Sequence, residues 1–211
     1  MKKLTTGLLS LVCALTLVAC SSNEPIGVKE SENELAAEEN VETDTDAGNT
    51  LVVYYSATGN TEEAANYIVE LTDADVLELV PVDDYTSEDL NYNDDSSRVV
   101  YEHDNEDARN IELVQDTVDN WDEYDTVFVG YPIWWGIAAW PVNDFITSNN
   151  FDGKTVIPFA TSVSSGLGES GSLLAEMAGS GNWLEGMRFS SSVSQNDVEN
   201  WLNDLGLTKE G

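Results

Sequence analysis

The stretch Leu51-Val52-Val53-Tyr54-Tyr55-Ser56-Ala57-Thr58-Gly59-Asn60-Thr61 decides how the rest of the chain is read. It opens as an apolar run and stops abruptly at a small polar turn, Ser56 to Thr61. Glu62 to Val69 (EEAANYIV) then reads as a helix. The order is strand, tight polar loop, helix start. The first N–H groups of a helix have no partners within it, and the helix dipole favours negative charge at that end. Such a turn can hold an anion. This one contains no Lys or Arg, so it would bind through neutral donors, and the Walker pattern G-x-x-x-x-G-K-[ST] is absent. Ser, Thr and Asn also serve as ordinary helix caps. The stretch alone leaves both readings open.

The chain has 211 residues, a length that suits one domain with appendages. Forty acidic and eight basic residues give a formal charge of -32. A chain this acidic repels nucleic acid and anionic headgroups, so no nucleic-acid partner is expected. A redox protein partner with a basic docking face is easier to accommodate, although the charge also serves solubility. Lys2 and Lys3 precede an apolar segment, Leu8 to Ala19, the pattern of a secretory signal and too short to favour a resident membrane helix. Leu17-Val18-Ala19-Cys20 resembles the lipobox of bacterial lipoproteins. That resemblance implies removal of residues 1–19 and diacylation of Cys20. The protein would then be lipid-anchored to the outer face of the cell membrane, since two acyl chains hold where one binds only marginally. Cys13 lies in the removed segment, so the mature chain would have neither an internal disulfide nor a free thiol. Residues 20–49 are acidic and lack aromatics, a composition that cannot offset its own ordering entropy. They read as a disordered tether.

Residues 50–211 form the domain. Asp75 to Pro81 reads as a second strand, and 82–110 as a long acidic excursion with room for a short helix. Apolar residues at 111, 113, 114, 118 and 121 predict a helix over Ile111 to Trp121. Tyr124 to Gly130 is a continuous apolar run suited to a strand covered on both faces. A helix is expected over Ala138 to Ser148, a strand over Thr155 to Ala160 and a helix over Ser170 to Ala178. Gly186 to Phe189 makes a short last strand, and Val198 to Leu205 a closing helix with Ser194 and Asp197 at capping spacing. Strands alternating with helices predict an α/β domain with a parallel sheet.

In open α/β sheets ligands bind beyond the carboxyl ends of the strands. Three loops are placed there. The first is Ser56 to Thr61. The second, Tyr131-Pro132-Ile133-Trp134-Trp135-Gly136, offers flat indole faces that either stack on a planar heteroaromatic ring or cover a sheet edge or partner patch. The third, Thr161-Ser162-Val163-Ser164-Ser165-Gly166-Leu167-Gly168, carries hydroxyl and backbone groups suited to the edge of a heterocycle. Together they describe a ligand with a phosphate at one end and a flat ring at the other.

The segments YYSATGNT (54–61), VFVGYPIWWG (127–136) and GKTVIPFATS (153–162), in that order, resemble the flavodoxin family, and in particular its domains with a Y-P-I-W-W-G loop. The resemblance runs from residue 50 to about 207. It implies a flavodoxin-like, doubly wound five-stranded parallel sheet in the order 2-1-3-4-5, helices on both faces, and FMN as cofactor. It further implies that Ser56, Ala57, Thr58, Gly59, Asn60 and Thr61 hold the phosphate. Pro132, Ile133, Trp134, Trp135 and Gly136 would flank the ring, with Thr161, Ser162, Ser164, Ser165 and Gly166 at its edge. The third loop departs from the family's glycine-richer T-S-G-G-S-G by placing Val163-Ser164 in its middle, and 82–110 matches the family poorly.

Other motifs carry less. Gly166-Leu167-Gly168-Glu169-Ser170-Gly171 spells G-x-G-x-x-G, but a polar loop separates it from the preceding strand. A hydrolase triad is unsupported, because His103, the only histidine, precedes Ser170. His103 sits in an acidic run and reads as a solvated loop residue, with no metal-ligand spacing around it. The resemblance therefore leads to an FMN electron carrier whose acidic surround separates two one-electron steps. Two alternatives stand beside it: an NAD(P)H-dependent quinone or flavin reductase on the same fold, and a binding module that has lost FMN.

Overall fold

The computed structural model describes residues 49–208. The expected signal segment, Cys20 and the tether up to residue 48 lie outside the described residues. Among the described residues no helix is long and apolar enough to cross a membrane.

The chain runs β1 (Asn49–Tyr54), α1 (Asn60–Thr72), β2 (Asp75–Glu78), α2 (Arg98–Asp104), β3 (Tyr124–Trp134) and β4 (Ile137–Ala138). It continues α3 (Val142–Ser148), β5 (Thr155–Thr161), α4 (Ser170–Ala178), β6 (Asn182–Trp183), β7 (Met187–Phe189) and α5 (Gln195–Leu205). β1 pairs in parallel with β2 on one side and β3 on the other, β3 pairs with β5, and β6 and β7 together form the far edge. With that edge counted as one strand, the order is the expected 2-1-3-4-5. The antiparallel pair β3–β4 is an added hairpin.

Alternation along β1 builds both faces of the core. Leu51, Val53 and Tyr55 pack with Val127, Val129, Val156 and, from α3 and α4, Val142, Phe145, Ile146 and Leu174. Val52 and Tyr54 pack with Phe128, Ile157 and Phe159 beneath Ala64, Ala65 and Ile68 of α1 and Val198, Trp201 and Leu202 of α5. The buried positions 61, 64, 65 and 68 of α1 lie on one helical stripe. Ser194 and Asp197 form the expected capping box at the start of α5.

The structure corrects three expectations. Residues 111–121 are not a helix. Ile111 and Leu113 are buried while Val114 is exposed, a two-residue alternation. The Val82 N–H donates to the Glu112 carbonyl at 2.8 Å and the Val114 N–H to the Val80 carbonyl at 2.8 Å, so this stretch lies antiparallel to the chain leaving β2. The helix expected from Ala138 begins only at Val142, because Ile137 and Ala138 pair back onto β3. Finally, β3 continues through Trp134, well past Gly130.

The split far edge has a cause in Pro158. The Asn182 and Leu184 N–H groups donate to the Lys154 and Val156 carbonyls at 2.8 and 2.9 Å. By strand alternation residue 158 faces the same edge, but proline has no N–H to offer. The ladder breaks there and resumes one residue out of step: Thr155 pairs with Asn182, whereas Phe159 pairs with Met187. One strand over, Gly130 admits the ring of Phe159, since a Cβ on Gly130 would lie 2.1 Å from Phe159 Cζ.

Gly130→Ala is therefore expected to overpack this face and destabilise the domain by about 1–3 kcal/mol. The readout is the urea midpoint, and Gly130→Ala combined with Phe159→Leu should recover most of the loss. A second expectation concerns alkaline pH. Burial, with Glu78 and Glu62 adding to it, pushes the Tyr54 phenol up to about 12, and burial pushes Tyr131 up to about 12. The native state holds these phenols neutral, whereas in the unfolded chain they ionise near the ordinary value of 10. Stability from this source is complete below pH 10 and is lost as pH rises towards 12. Urea midpoints at pH 9 and pH 11 should differ in that direction, with no parallel loss between pH 7 and pH 9.

Candidate functional site

The parallel sheet brings the carboxyl ends of β1, β3 and β5 to one edge, and a cavity of about 530 Å³ opens there. Ala57, Thr58, Asn60 and Thr61 line it from the first loop, Pro132, Ile133, Trp134 and Trp135 from the second, and Thr161, Ser162, Ser164 and Ser165 from the third. Ser56, Gly59, Gly136 and Gly166 stand outside the lining.

The first loop is shaped from within. Ser56 Oγ accepts from the Gly59 N–H at 3.1 Å and the Glu62 N–H at 3.2 Å, which folds the turn onto the start of α1. Ser56 is thus a brace behind the lining. Gly59 enters the helix at φ +86°, a backbone state that L side chains adopt at a cost. Asn60 and Thr61 bring first-turn N–H groups that no carbonyl of their own helix can satisfy. Asn60 Nδ2 donates to Thr58 Oγ1 at 3.0 Å. The Thr61 and Thr161 hydroxyls meet at 2.8 Å and tie the first loop to the third. This end is electronegative. Glu62 and Glu63 occupy the first turn of α1, and the Glu78 carboxyl is pushed up by burial and then by Glu62 and Asp84.

The second segment is not a loop but the end of β3 and a tight hairpin. Trp134 pairs with Ile137, leaving Trp135 and Gly136 as the two turn residues at φ +46° and +85°. Two positive φ values in succession match the mirror-image turn that best suits hairpin twist, but tryptophan is an unusual first residue for it. Its ring contacts account for the choice. Trp135 stacks on His103 with centroids 4.4 Å apart and on Trp140 at 5.9 Å. Trp134 stands edge-on to Tyr55, Tyr85 and Trp140. His103 is therefore no solvated loop residue; it belongs to α2 and backs the ring wall.

The excursion 82–110 packs over this wall, which its irregular composition did not predict. Its hub is Glu102, only 3 % exposed. The carboxylate accepts from Tyr85 Oη at 2.6 Å, Trp140 Nε1 at 2.7 Å and Arg98 Nε at 2.7 Å. Burial, followed by the bond to Glu102, pushes the Tyr85 phenol strongly up. Leu90, Tyr92 and Val99 of the excursion line the cavity, as do Val163 and Ser191. Tyr92, Trp135 and Val163 leave an exposed aromatic and aliphatic rim. Tyr92 was visible in the sequence as an aromatic in an acidic run, but no periodicity tied it to the site.

In the third loop Ser162 is turned inward. Its N–H donates to the Phe189 carbonyl at 3.2 Å, its hydroxyl donates to the Ser165 carbonyl, and its oxygens accept from Arg188. Ser164 and Ser165 line the cavity beside it. The described cations are engaged internally. Arg98 binds Glu102 and the Asp83 carbonyl, and Arg109 the Glu102 and His103 carbonyls. Lys154 donates to the Trp121 and Tyr124 carbonyls, and Arg188 to Ser162.

Known structures share this architecture. A provisionally named flavoprotein from Bacteroides eggerthii is 35 % identical with a TM-score of 0.69, covering 76 % of this chain and 99 % of its own. A second, from Bacteroides uniformis, is 38 % identical with a TM-score of 0.69, covering 74 % and 98 %. A flavoprotein from Lactobacillus acidophilus, solved in complex with FMN, shares the fold at 22 % identity and a TM-score of 0.53, over 73 % of this chain and 98 % of that one. No curated protein matches the sequence. The family model described as Flavodoxin matches residues 49–205, the whole span from β1 to α5, and the chain accordingly belongs to the flavodoxin family.

Proposed function

We propose that this domain binds FMN and passes electrons as a lipoprotein held by Cys20 on the outer face of the cell membrane. The observation that carries the reading is the single cavity joining a neutral anion loop, an indole wall and a hydroxyl-bearing loop. The residues present fit the cofactor. Thr58, Asn60 and Thr61 stand at the N-terminus of α1, where a phosphate is best received. Trp134 and Trp135 give flat apolar surface to a ring, and Ser164 and Ser165 give polar groups to its edge. FMN supplies the redox chemistry when bound, and the protein orients and tunes it.

The chain's own groups favour a carrier over a nicotinamide-dependent reductase. Dinucleotide phosphates call for positive potential, and among the described residues no Lys or Arg lines the cavity. The acidic surface and the apolar rim of Tyr92, Trp135 and Val163 suit a redox partner with a basic face. β1 begins at Asn49, at the end of the sheet opposite the cavity.

Titration of the full-length protein in detergent with FMN should quench flavin emission and shift its absorption bands. A protein that leaves FMN fluorescent and unshifted at saturating concentration sinks the reading. Because Glu62, Glu63 and Glu78 surround the anion end, affinity should rise as salt goes from about 0.01 to 0.15 M and screening sets in. Electron transfer to a basic partner should slow over the same range. Thr58→Ala and Asn60→Ala should each weaken FMN about tenfold or more, the loss of a hydrogen bond to a charged group. Trp135→Ala should instead alter the quenching and the reduction potential with a smaller change in affinity. Steady NAD(P)H oxidation with a quinone acceptor would favour the reductase.

A further inference from the structure

Arg188 lies outside the cavity lining and outside every motif by which the sequence was read. It stands on β7, in register with Ala160 of β5, at the place to which the break at Pro158 shifts the edge strand. Its Nε donates to Ser162 Oγ at 2.8 Å and its Nη2 to the Ser162 carbonyl at 2.7 Å. The two bonds form a fork of the kind that only a planar guanidinium provides. Ser162 passes the constraint on, because its hydroxyl hydrogen is committed to the Ser165 carbonyl and its N–H to Phe189. Residues 162 to 165 are closed into a turn. The family's glycine-richer pattern is replaced here by Val163 and Ser164, and neither adopts positive φ. The fork and the Ser162–Ser165 bond hold the loop in this path.

We propose that Arg188 is a positioning residue for the ring-facing loop. Its fork fixes Ser162 so that Ser164 and Ser165 meet the edge of the bound ring. The fork's acceptors are neutral oxygens, which leave the guanidinium charge uncompensated and favourable to negative charge gained by a ring at this loop. The identity of the ring rests on the proposed function; the closure of the loop does not.

The test uses the full-length protein in detergent and four variants: Arg188→Gln, Arg188→Lys, Ser162→Ala and the double variant Arg188→Gln with Ser162→Ala. Without flavin, amide hydrogen exchange at residues 163–165 should accelerate in Arg188→Gln while exchange in β1 and β3 stays unchanged. With FMN, Arg188→Gln should weaken binding about tenfold, the loss expected when a charge-assisted bond is removed. The double variant should bind within about twofold of Arg188→Gln, because both changes remove one shared contact. Arg188→Lys keeps the charge without the fork. It should restore the reduction potential lowered in Arg188→Gln while leaving affinity reduced, a split that a purely structural role would not produce. Should Arg188→Gln fold poorly, Arg188→Lys carries the exchange comparison. Unchanged loop exchange, or losses that simply add in the double variant, would overturn the proposal. If the wild-type protein takes up no FMN, the functional reading fails, and exchange in the flavin-free variants still decides the role of Arg188.

Discussion

Parallel pairing of β1 with both β2 and β3 governs everything at the cavity. Parallel strands share one carboxyl edge, so the turns after β1, β3 and β5 must emerge side by side. Such a sheet must be covered on both faces, and the alternation Leu51/Val53 against Val52/Tyr54 does this with α3 and α4 on one side and α1 and α5 on the other. The helix that covers one face also delivers its N-terminus to the cavity. Packing of the sheet and the placing of that N-terminus are therefore two consequences of one placement.

On this frame the walls are held by a few strong polar contacts. The Thr61–Thr161 hydroxyl pair joins two loops that are distant in sequence. Glu102 gathers Tyr85, Arg98 and Trp140 around one buried carboxylate and so fixes the acidic excursion against the indole wall. Removing the Glu102 carboxylate would leave Tyr85 Oη and Trp140 Nε1 buried without their acceptor, which costs more than a lost bond itself. The strained turn at Trp135 persists because His103 and Trp140 stack against it.

Charge is arranged in the same economical way. The domain has few cations, and each of those described donates to a backbone carbonyl, while Arg98 and Arg109 also pair with the exposed carboxylates of Asp83 and Glu106. The acidic residues keep the surface, including the first turn of α1. Under the proposed function a phosphate at that turn would meet neutral dipoles against a negative background, which would tie its affinity to ionic strength.

Much of this was legible in the residues themselves. A strand-like apolar run followed by a small polar turn and a helical stripe is a local signal, and LVVYYSATGNT carried it. Strands alternating with helices sufficed for a parallel α/β sheet with three loops at its carboxyl edge, and the resemblance carried by YYSATGNT, YPIWWG and TVIPFATS implied the strand order. What remained hidden depended on contacts between segments far apart in sequence. Residues 111 to 121 had apolar positions compatible with a helix, and pairing of residues 112–114 with residues 80–82 made the first of them strand-like. Ser56 and Ser162 had the chemistry of ligand donors, and hydrogen bonds from Glu62 and Arg188 turned them into braces. His103 and Tyr92 lay in an acidic run without periodicity, and only packing against Trp135 and the cavity gave them a place. The sequence by itself determined the fold and which three loops meet, because local periodicity and turn chemistry act between neighbours. The tertiary structure decided which side chains face the cavity and which hold the loops, because a hydroxyl or a guanidinium is committed only when its distant partner arrives.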